Sequence, residues 1–320
     1  MEQAAEGQGS TLRTIVYRTT ELTPLKAVAA RAIQMAEDEH SAAMDLATVL
    51  SSDQALTAKL LKLSNSAYYG YSRRIGTVRE AVILLGMRTV RSVAIASSII
   101  EAFEVAPIRG FSRDLFWAHS VCVGLVAESM AKSTKAARPE DAFTAGVMHD
   151  VGKLAMLLTY PELFGQATRL VVDDGWNWRD AEREVFGVRH QDVGARLAQR
   201  WKFPDNLVEA IRNHHPERMP STVETLDDVI ATSNLACNRH GLACGFDWKR
   251  APDRQPTETI PPMADQALDR VHGGMRTLED RARAFMLNVS TRPPAWYAPG
   301  PHDNDDNEDP GTDESHDAVA

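Results

Sequence analysis

In the stretch Ala145-Gly146-Val147-Met148-His149-Asp150-Val151-Gly152-Lys153-Leu154, a histidine and an aspartate stand side by side among apolar residues, with a glycine and a lysine close behind. An imidazole nitrogen and a carboxylate oxygen are both good ligands for borderline or hard cations, and at a helix end adjacent side chains can converge on one ion. The same dipeptide also serves as a plain helix-end polar pair that caps and hydrogen-bonds, and alone it does not distinguish the two roles. The company of other histidines shifts the balance. Of ten in the chain, His119, His149, His190, His214 and His215 fall between positions 119 and 215, each near a helix end or on an apolar face. Read singly, each is as well explained as a core histidine. Together, five imidazoles and the Asp150 carboxylate suffice for one octahedral site or for a pair of ions that the aspartate bridges.

Such ligands must be brought together by the elements that carry them. The separations are 30 residues from His119 to His149, 40 from Asp150 to His190 and 24 from His190 to His214. They put ligands on several helices, which is how helical bundles build interior metal sites. Spacing permits that convergence without proving it.

The apolar fraction of 43% over 320 residues is ample for a core. The net charge of -9 comes mostly from Asp303, Asp305, Asp306, Glu308, Asp309, Asp313, Glu314 and Asp317. Without them the body is close to neutral, which argues against a basic nucleic-acid-binding protein. Cys122, Cys237 and Cys244 form no CxxC pattern and read as reduced thiols. A polar, acidic start and the lack of a run of eighteen apolar residues predict a cytoplasmic protein without membrane association.

The pattern of the chain is all-α. Residues 1–20 show no sustained periodicity and read as a flexible lead. Thr23-Pro24 then offers a cap and first turn for a helix carrying Leu25, Val28, Ala29, Ala32 and Ile33. A second helix follows Ser41, Asp53 caps a third, and Thr77 caps Val78 to Leu85, where Gly86 breaks it before a long apolar helix from Met87 to Phe103. The loop Asn65 to Ser72 holds Tyr68, Tyr69 and Tyr71, aromatics that can stack on a ligand but more commonly pin a loop to its bundle. Arg73, Arg74, Arg79, Arg88 and Arg91 invite a helix-turn-helix reading. The second helix, however, is dominated by Val, Ala and Ile where a recognition helix needs polar side chains, so it is read as core. Further helices start at Leu115, Pro139, Lys153, Trp178, Val193 and Leu207. Residues 241–289 read as a linker with one amphipathic helix over Arg276 to Val289, and 290–320 as a disordered acidic tail.

The order His119, His149-Asp150 with Gly152-Lys153, His190, His214-His215 resembles the HD phosphohydrolase superfamily and its HD-GYP cyclic-dinucleotide phosphodiesterase branch. The wider chain is more similar to the related HDOD domain. That resemblance is carried by Leu22 to Leu25, Asp53 to Gly70, Ala81 to Gly86, Phe116 to Ser120, Ala145 to Leu154, Glu182 to Gly187 and Ala210 to His215, in order and spacing.

The resemblance implies an all-α fold in two lobes, an N-terminal helical lobe at 21–106 and an HD-like lobe at 107–240. It implies His119, His149, Asp150, His190, His214 and His215 as metal ligands for Fe, Mn, Zn, Ni or Mg, and Lys153 near a scissile phosphate. Two departures stand out. Pro216-Glu217-Arg218 follows the histidine pair where HD-GYP proteins keep a Gly-Tyr-Pro loop, and Asn234 stands where a terminal aspartate ligand is expected. An amide brings no charge and holds a divalent cation more weakly than a carboxylate. The expectation is therefore a signal-transduction module with a signalling-protein partner, or a nucleotide or cyclic-dinucleotide ligand, and little or no catalysis. The alternative is a metal-dependent phosphohydrolase with Asp150 and Lys153 as its catalytic residues.

Overall fold

The computed structural model describes residues 2–22, 25–35, 41–65, 74–103 and 111–240, together with Gln266, Asp269, Leu278, Asp280, Arg281, Ala282, Phe285 and Met286. Among these residues the chain is helical and has no strand, as expected. The tyrosine-rich loop, Thr23-Pro24 and the acidic tail lie outside the described residues.

The first lobe is built from α2 (Ala27–Gln34), α3 (Ser41–Ser51), α4 (Gln54–Ser64), α5 (Val78–Leu85) and α6 (Met87–Ala102). Its caps follow local chemistry. The Asp53 carboxylate accepts from the Leu56 amide, and Thr77 with Glu80 forms a reciprocal capping box at the start of α5. Gly86 ends α5 and starts α6 at φ +87°, a conformation that glycine adopts without steric cost. From Val90 to Ile100, α6 is buried apart from half-buried Arg91, so the arginine-flanked helix is core, as its composition predicts. The expected helix carrying Leu25 to Ile33 begins, among the described residues, at Ala27, because the Lys26 backbone is extended at ψ 139°.

A small ion cluster ties this lobe together. The Glu101 carboxylate at the end of α6 receives Lys59 Nζ of α4 at 2.8 Å and Lys26 Nζ at 3.2 Å. Burial pushes the Glu101 pKa up, but the two ammonium groups outweigh it and hold it below 4.5. A depressed carboxylate stabilises the fold above its unfolded pKa, and that stabilisation is lost as pH falls through the folded value. Glu101→Gln should cost about 1 kcal/mol, read as a lower thermal midpoint at pH 7 that converges with wild type in acid.

The second lobe comprises α7 (Arg113–Thr134), α8 (Pro139–Met148), α9 (Val151–Thr159), α10 (Pro161–Val172), α11 (Trp178–Phe186), α12 (His190–Arg200), α13 (Asp205–Asn213) and α14 (Leu226–Arg239). Helix α10 is additional to the helices read from the sequence, although Pro161 at its first turn is a start signal. Helices α7 and α8 cross at bare backbone. A methyl group added to Gly146 would lie 2.6 Å from the Gly124 Cα.

Two segments outside the expected lobes belong to the core. The expected flexible lead over 1–20 is corrected for its described residues: Glu2–Leu22 is helix α1, packed on α9 and α12. Leu12, Ile15, Val16 and Thr19 recur at helical spacing, and the last three are buried. The flanking Arg13, Thr14, Arg18 and Thr20 mask that short stripe in a composition-based reading. Near the other end, Leu278, Ala282, Phe285 and Met286 are helical and buried at i, i+4, i+7 and i+8, with the Phe285 ring 5.7 Å from that of Phe143 on α8. The amphipathic helix expected there has its apolar stripe against the bundle.

Candidate metal centre

Each candidate ligand sits where a helix begins, ends or turns inward. His119 lies on the buried face of α7, His149 caps the C-terminus of α8, Asp150 is the N-cap of α9, and His190 is the first residue of α12. His214 caps the C-terminus of α13, with His215 next to it. The structure brings all six together. Their ligand atoms fall into two groups sharing Asp150: Asp150, His190, His214 and His215, and His119, His149 and Asp150, with the atoms of each group within 4.8 Å of one another.

Close approach of backbones makes this convergence geometrically feasible. At Gly152, where α9 meets α12, an added Cβ would overlap the His190 carbonyl oxygen and lie 2.8 Å from the Gly194 amide nitrogen. Only glycine lets these two helices approach so closely.

Hydrogen bonds then fix the ring orientations. His149 Nδ1 donates to the Gly146 carbonyl at 2.7 Å, and His214 Nδ1 donates to the Ile211 carbonyl at 2.6 Å. A carbonyl only accepts, so in each neutral ring Nε2 keeps its lone pair and turns it into the pocket. His190 Nδ1 faces the Glu182 carboxylate, 2.7 Å from Oε2, and the same carboxylate accepts the His190 backbone amide at 3.0 Å.

On the pocket side, His190 Nε2 lies 3.1 Å from His214 Nε2 and 3.1 Å from Asp150 Oδ1, with His214 Nε2 at 3.4 Å from the same oxygen. Asp150 Oδ2 is bound to Lys153 Nζ at 2.7 Å and lies 3.4 Å from His149 Nε2. His149 Nε2 and Asp150 Oδ1 are buried and complete no hydrogen bond. Two imidazole nitrogens 3.1 Å apart, both facing a carboxylate, repel unless a proton or a metal ion stands between them. Orphaned buried acceptors converging on one volume fit a cation.

The titration behaviour follows from this packing. Burial drives His214 down to about 3, and His215 well below its usual range, the neighbouring histidines adding to the effect. Both are neutral and ready to coordinate at neutral pH. Burial also opposes charge on His190, but the Glu182 carboxylate outweighs it and raises that pKa above 6.5. Despite burial, Lys153 and His149 hold Asp150 well below the carboxylate range, so it is ionised.

Glu182 is the functional residue that the histidine pattern missed. It is 0% exposed, on the face of α11 that carries Trp178, Ala181 and Phe186. An acidic residue on the apolar stripe of an amphipathic helix was the available signal. Asn234 is also buried, on α14, and its Oδ1 accepts from Asn238 Nδ2 at 2.9 Å. That oxygen is already engaged within its own helix.

A metal must displace the Nε2 proton of the His190 imidazolium, which the Glu182 carboxylate on Nδ1 stabilises, so metal affinity should fall about tenfold per pH unit below the raised His190 pKa. Glu182→Gln removes the cause of that rise and should move the loss of binding to lower pH. It should also weaken binding at neutral pH by about 10- to 100-fold, through the lost orientation of the ring. Zinc titrations of both proteins across pH 5 to 8 would show the two shifts; a superimposable profile would remove Glu182 from the site.

Comparison with known proteins agrees with this architecture. Residues 22–217 match the HDOD domain model. An uncharacterized protein of Treponema pallidum (strain Nichols) is 29% identical over 193 residues, 60% of this chain and 37% of that protein, so the chain spans little more than a third of the length of its relative. Among solved structures, a "putative phosphohydrolase" from Shewanella amazonensis SB2B is 26% identical, with a TM-score of 0.64 over 85% of this chain and 97% of its own. An HDOD domain protein with unknown function from Geobacter sulfurreducens shares the fold at 24% identity and TM-score 0.67, over 89% and 96% of the two chains. Among the described residues no helix is long and apolar enough to cross a membrane. With the family model covering more than half of its length and the histidine–aspartate pocket in place, this chain belongs to the HDOD domain family.

Proposed function

We propose that this chain is a regulatory signal-transduction module whose HD-type pocket holds a divalent metal ion, and that it acts through binding with little or no turnover. The observation that carries this reading is closure of the site. His149 and His190 are 0% exposed, His119, Asp150 and His214 are 1%, and Lys153 is 3%, leaving half-buried His215 as the most accessible member. A phosphodiester approaching in-line needs an open face on its metal. Here that volume is lined by side chains already bound to one another, Lys153 holding Asp150 and Glu182 holding His190.

A bound cation would supply fixed positive charge and Lewis acidity in this pocket. The protein's own part is to turn Nε2 of His149 and His214 into the pocket, keep Asp150 ionised and exclude water. The nitrogen-rich donor set favours Fe, Zn or Ni over Mg, which prefers an all-oxygen shell. Away from the pocket, a cavity of about 630 Å³ opens where α2 and α6 face α8, α13 and α14, with Arg88, Arg91 and Arg138 among its walls and Ile95, Phe203 and Leu207 as apolar surface. Its volume suits a nucleotide-sized ligand. A ligand or signalling partner engaging there would contact both lobes.

The competing reading, a metal-dependent phosphohydrolase, draws on Lys153 beside Asp150 and on the name of the Shewanella amazonensis SB2B relative. One experiment separates the two: purify the protein without chelator, quantify bound metal, and assay bis(p-nitrophenyl) phosphate and cyclic dinucleotides with wild type and Asp150→Ala. The binding reading expects stoichiometric metal and no turnover. Metal-dependent hydrolysis that disappears in Asp150→Ala would overturn it.

A further inference from the structure

We infer that the pocket takes one metal ion, not two: the ion binds Asp150, His190, His214 and His215, and the Lys153 ammonium occupies the electrostatic place of a second cation. This rests on the metal-binding reading above and specifies how that site is used.

The two faces of Asp150 are not equivalent. Oδ1 looks toward His190 Nε2 at 3.1 Å and His214 Nε2 at 3.4 Å and makes no hydrogen bond, so it is available to an ion shared with those rings. Oδ2 looks toward the other histidine group but is held by Lys153 Nζ at 2.7 Å. A cation on His119, His149 and Asp150 would need that oxygen and would sit beside a buried positive charge. In an interior of low effective dielectric this repulsion is weakly screened.

The donor sets differ in the same direction. The first group offers three imidazoles and a free carboxylate oxygen, enough for a four-coordinate ion. The second offers two imidazoles and an oxygen already neutralised by lysine. Second partners reinforce the contrast. Glu182 braces His190, Gln191 Nε2 on α12 donates to the Arg212 carbonyl at 2.8 Å, and Arg179 donates to the His215 carbonyl at 3.3 Å, tying α11, α12 and the end of α13 around the first group.

The test is zinc stoichiometry by equilibrium dialysis and elemental analysis, at saturating zinc and with helicity checked by circular dichroism. Wild type should bind one zinc per chain, Lys153→Arg one, and Lys153→Met two, because removing the charge releases Oδ2 for the second group. In the wild-type background His119→Ala should still bind one zinc, whereas His215→Ala should lose at least tenfold in affinity, so the inference remains testable if Lys153→Met does not fold. Two zinc ions in wild type, or loss of zinc in His119→Ala with retention in His215→Ala, would overturn the single-ion assignment and leave the metal reading intact. One zinc in a folded Lys153→Met would overturn the role given to the lysine. Absence of zinc from every variant would overturn both the inference and the metal reading.

Discussion

Asp150→Ala is expected to abolish metal binding and, in the metal-free protein, to destabilise the fold. Asp150 is the carboxylate common to both ligand groups, and every other member is an imidazole. Loss of a residue that merely orients a ligand costs about 10- to 100-fold in metal affinity. Loss of the charged ligand itself should therefore cost at least about 1000-fold, read by competition with a chromogenic chelator. The substitution also takes from Lys153, 3% exposed, the carboxylate 2.7 Å away. Breaking a buried ion pair from one side costs up to about 3–5 kcal/mol, because a buried charge loses its counter-charge. Asp150→Asn separates the two effects: it keeps the volume and a hydrogen-bonding oxygen while removing the charge, so binding should fall steeply with a smaller loss of stability. Stoichiometric metal in Asp150→Ala at wild-type affinity would remove Asp150 from the ligand set.

Gly152→Ala should be nearly as damaging through packing alone. The added methyl group would overlap the His190 carbonyl oxygen and meet the Gly194 amide, both backbone atoms that no rotamer change can move. Helices α9 and α12 would have to separate. Overpacking of a close-packed interior typically costs about 1–3 kcal/mol, and here the upper end applies because backbone must shift. For a chain of this size that corresponds to a fall of roughly 4–6 °C in thermal midpoint. Since α9 starts at Asp150 and α12 at His190, the same separation pulls two ligands apart, and zinc affinity should drop with stability. An alanine variant with wild-type midpoint and affinity would show that the helices do not approach this closely in solution.

Local chemistry in the sequence went far toward the fold. Asp53 and Thr77 start their helices because a side-chain oxygen meets the amide three residues on, an interaction needing no tertiary context. The stripe Leu278, Ala282, Phe285 and Met286 was legible for a similar reason, being regular over two turns. Helix α1 was not: its stripe of Leu12, Ile15, Val16 and Thr19 is short and mixed with polar residues, and it is stabilised by α9 and α12 far along the chain.

The same division runs through the site. The sequence by itself determined the all-α class and the six ligand candidates, because residue type and helical period are local properties. Only the tertiary structure decided that Glu182 would brace His190, that Lys153 would claim one oxygen of Asp150 and leave the other to the histidines, and that bare glycine would let α9 touch α12. Those outcomes depend on where helices distant in the chain cross and how near they come, and backbone separations at a crossing are set by packing across the whole bundle.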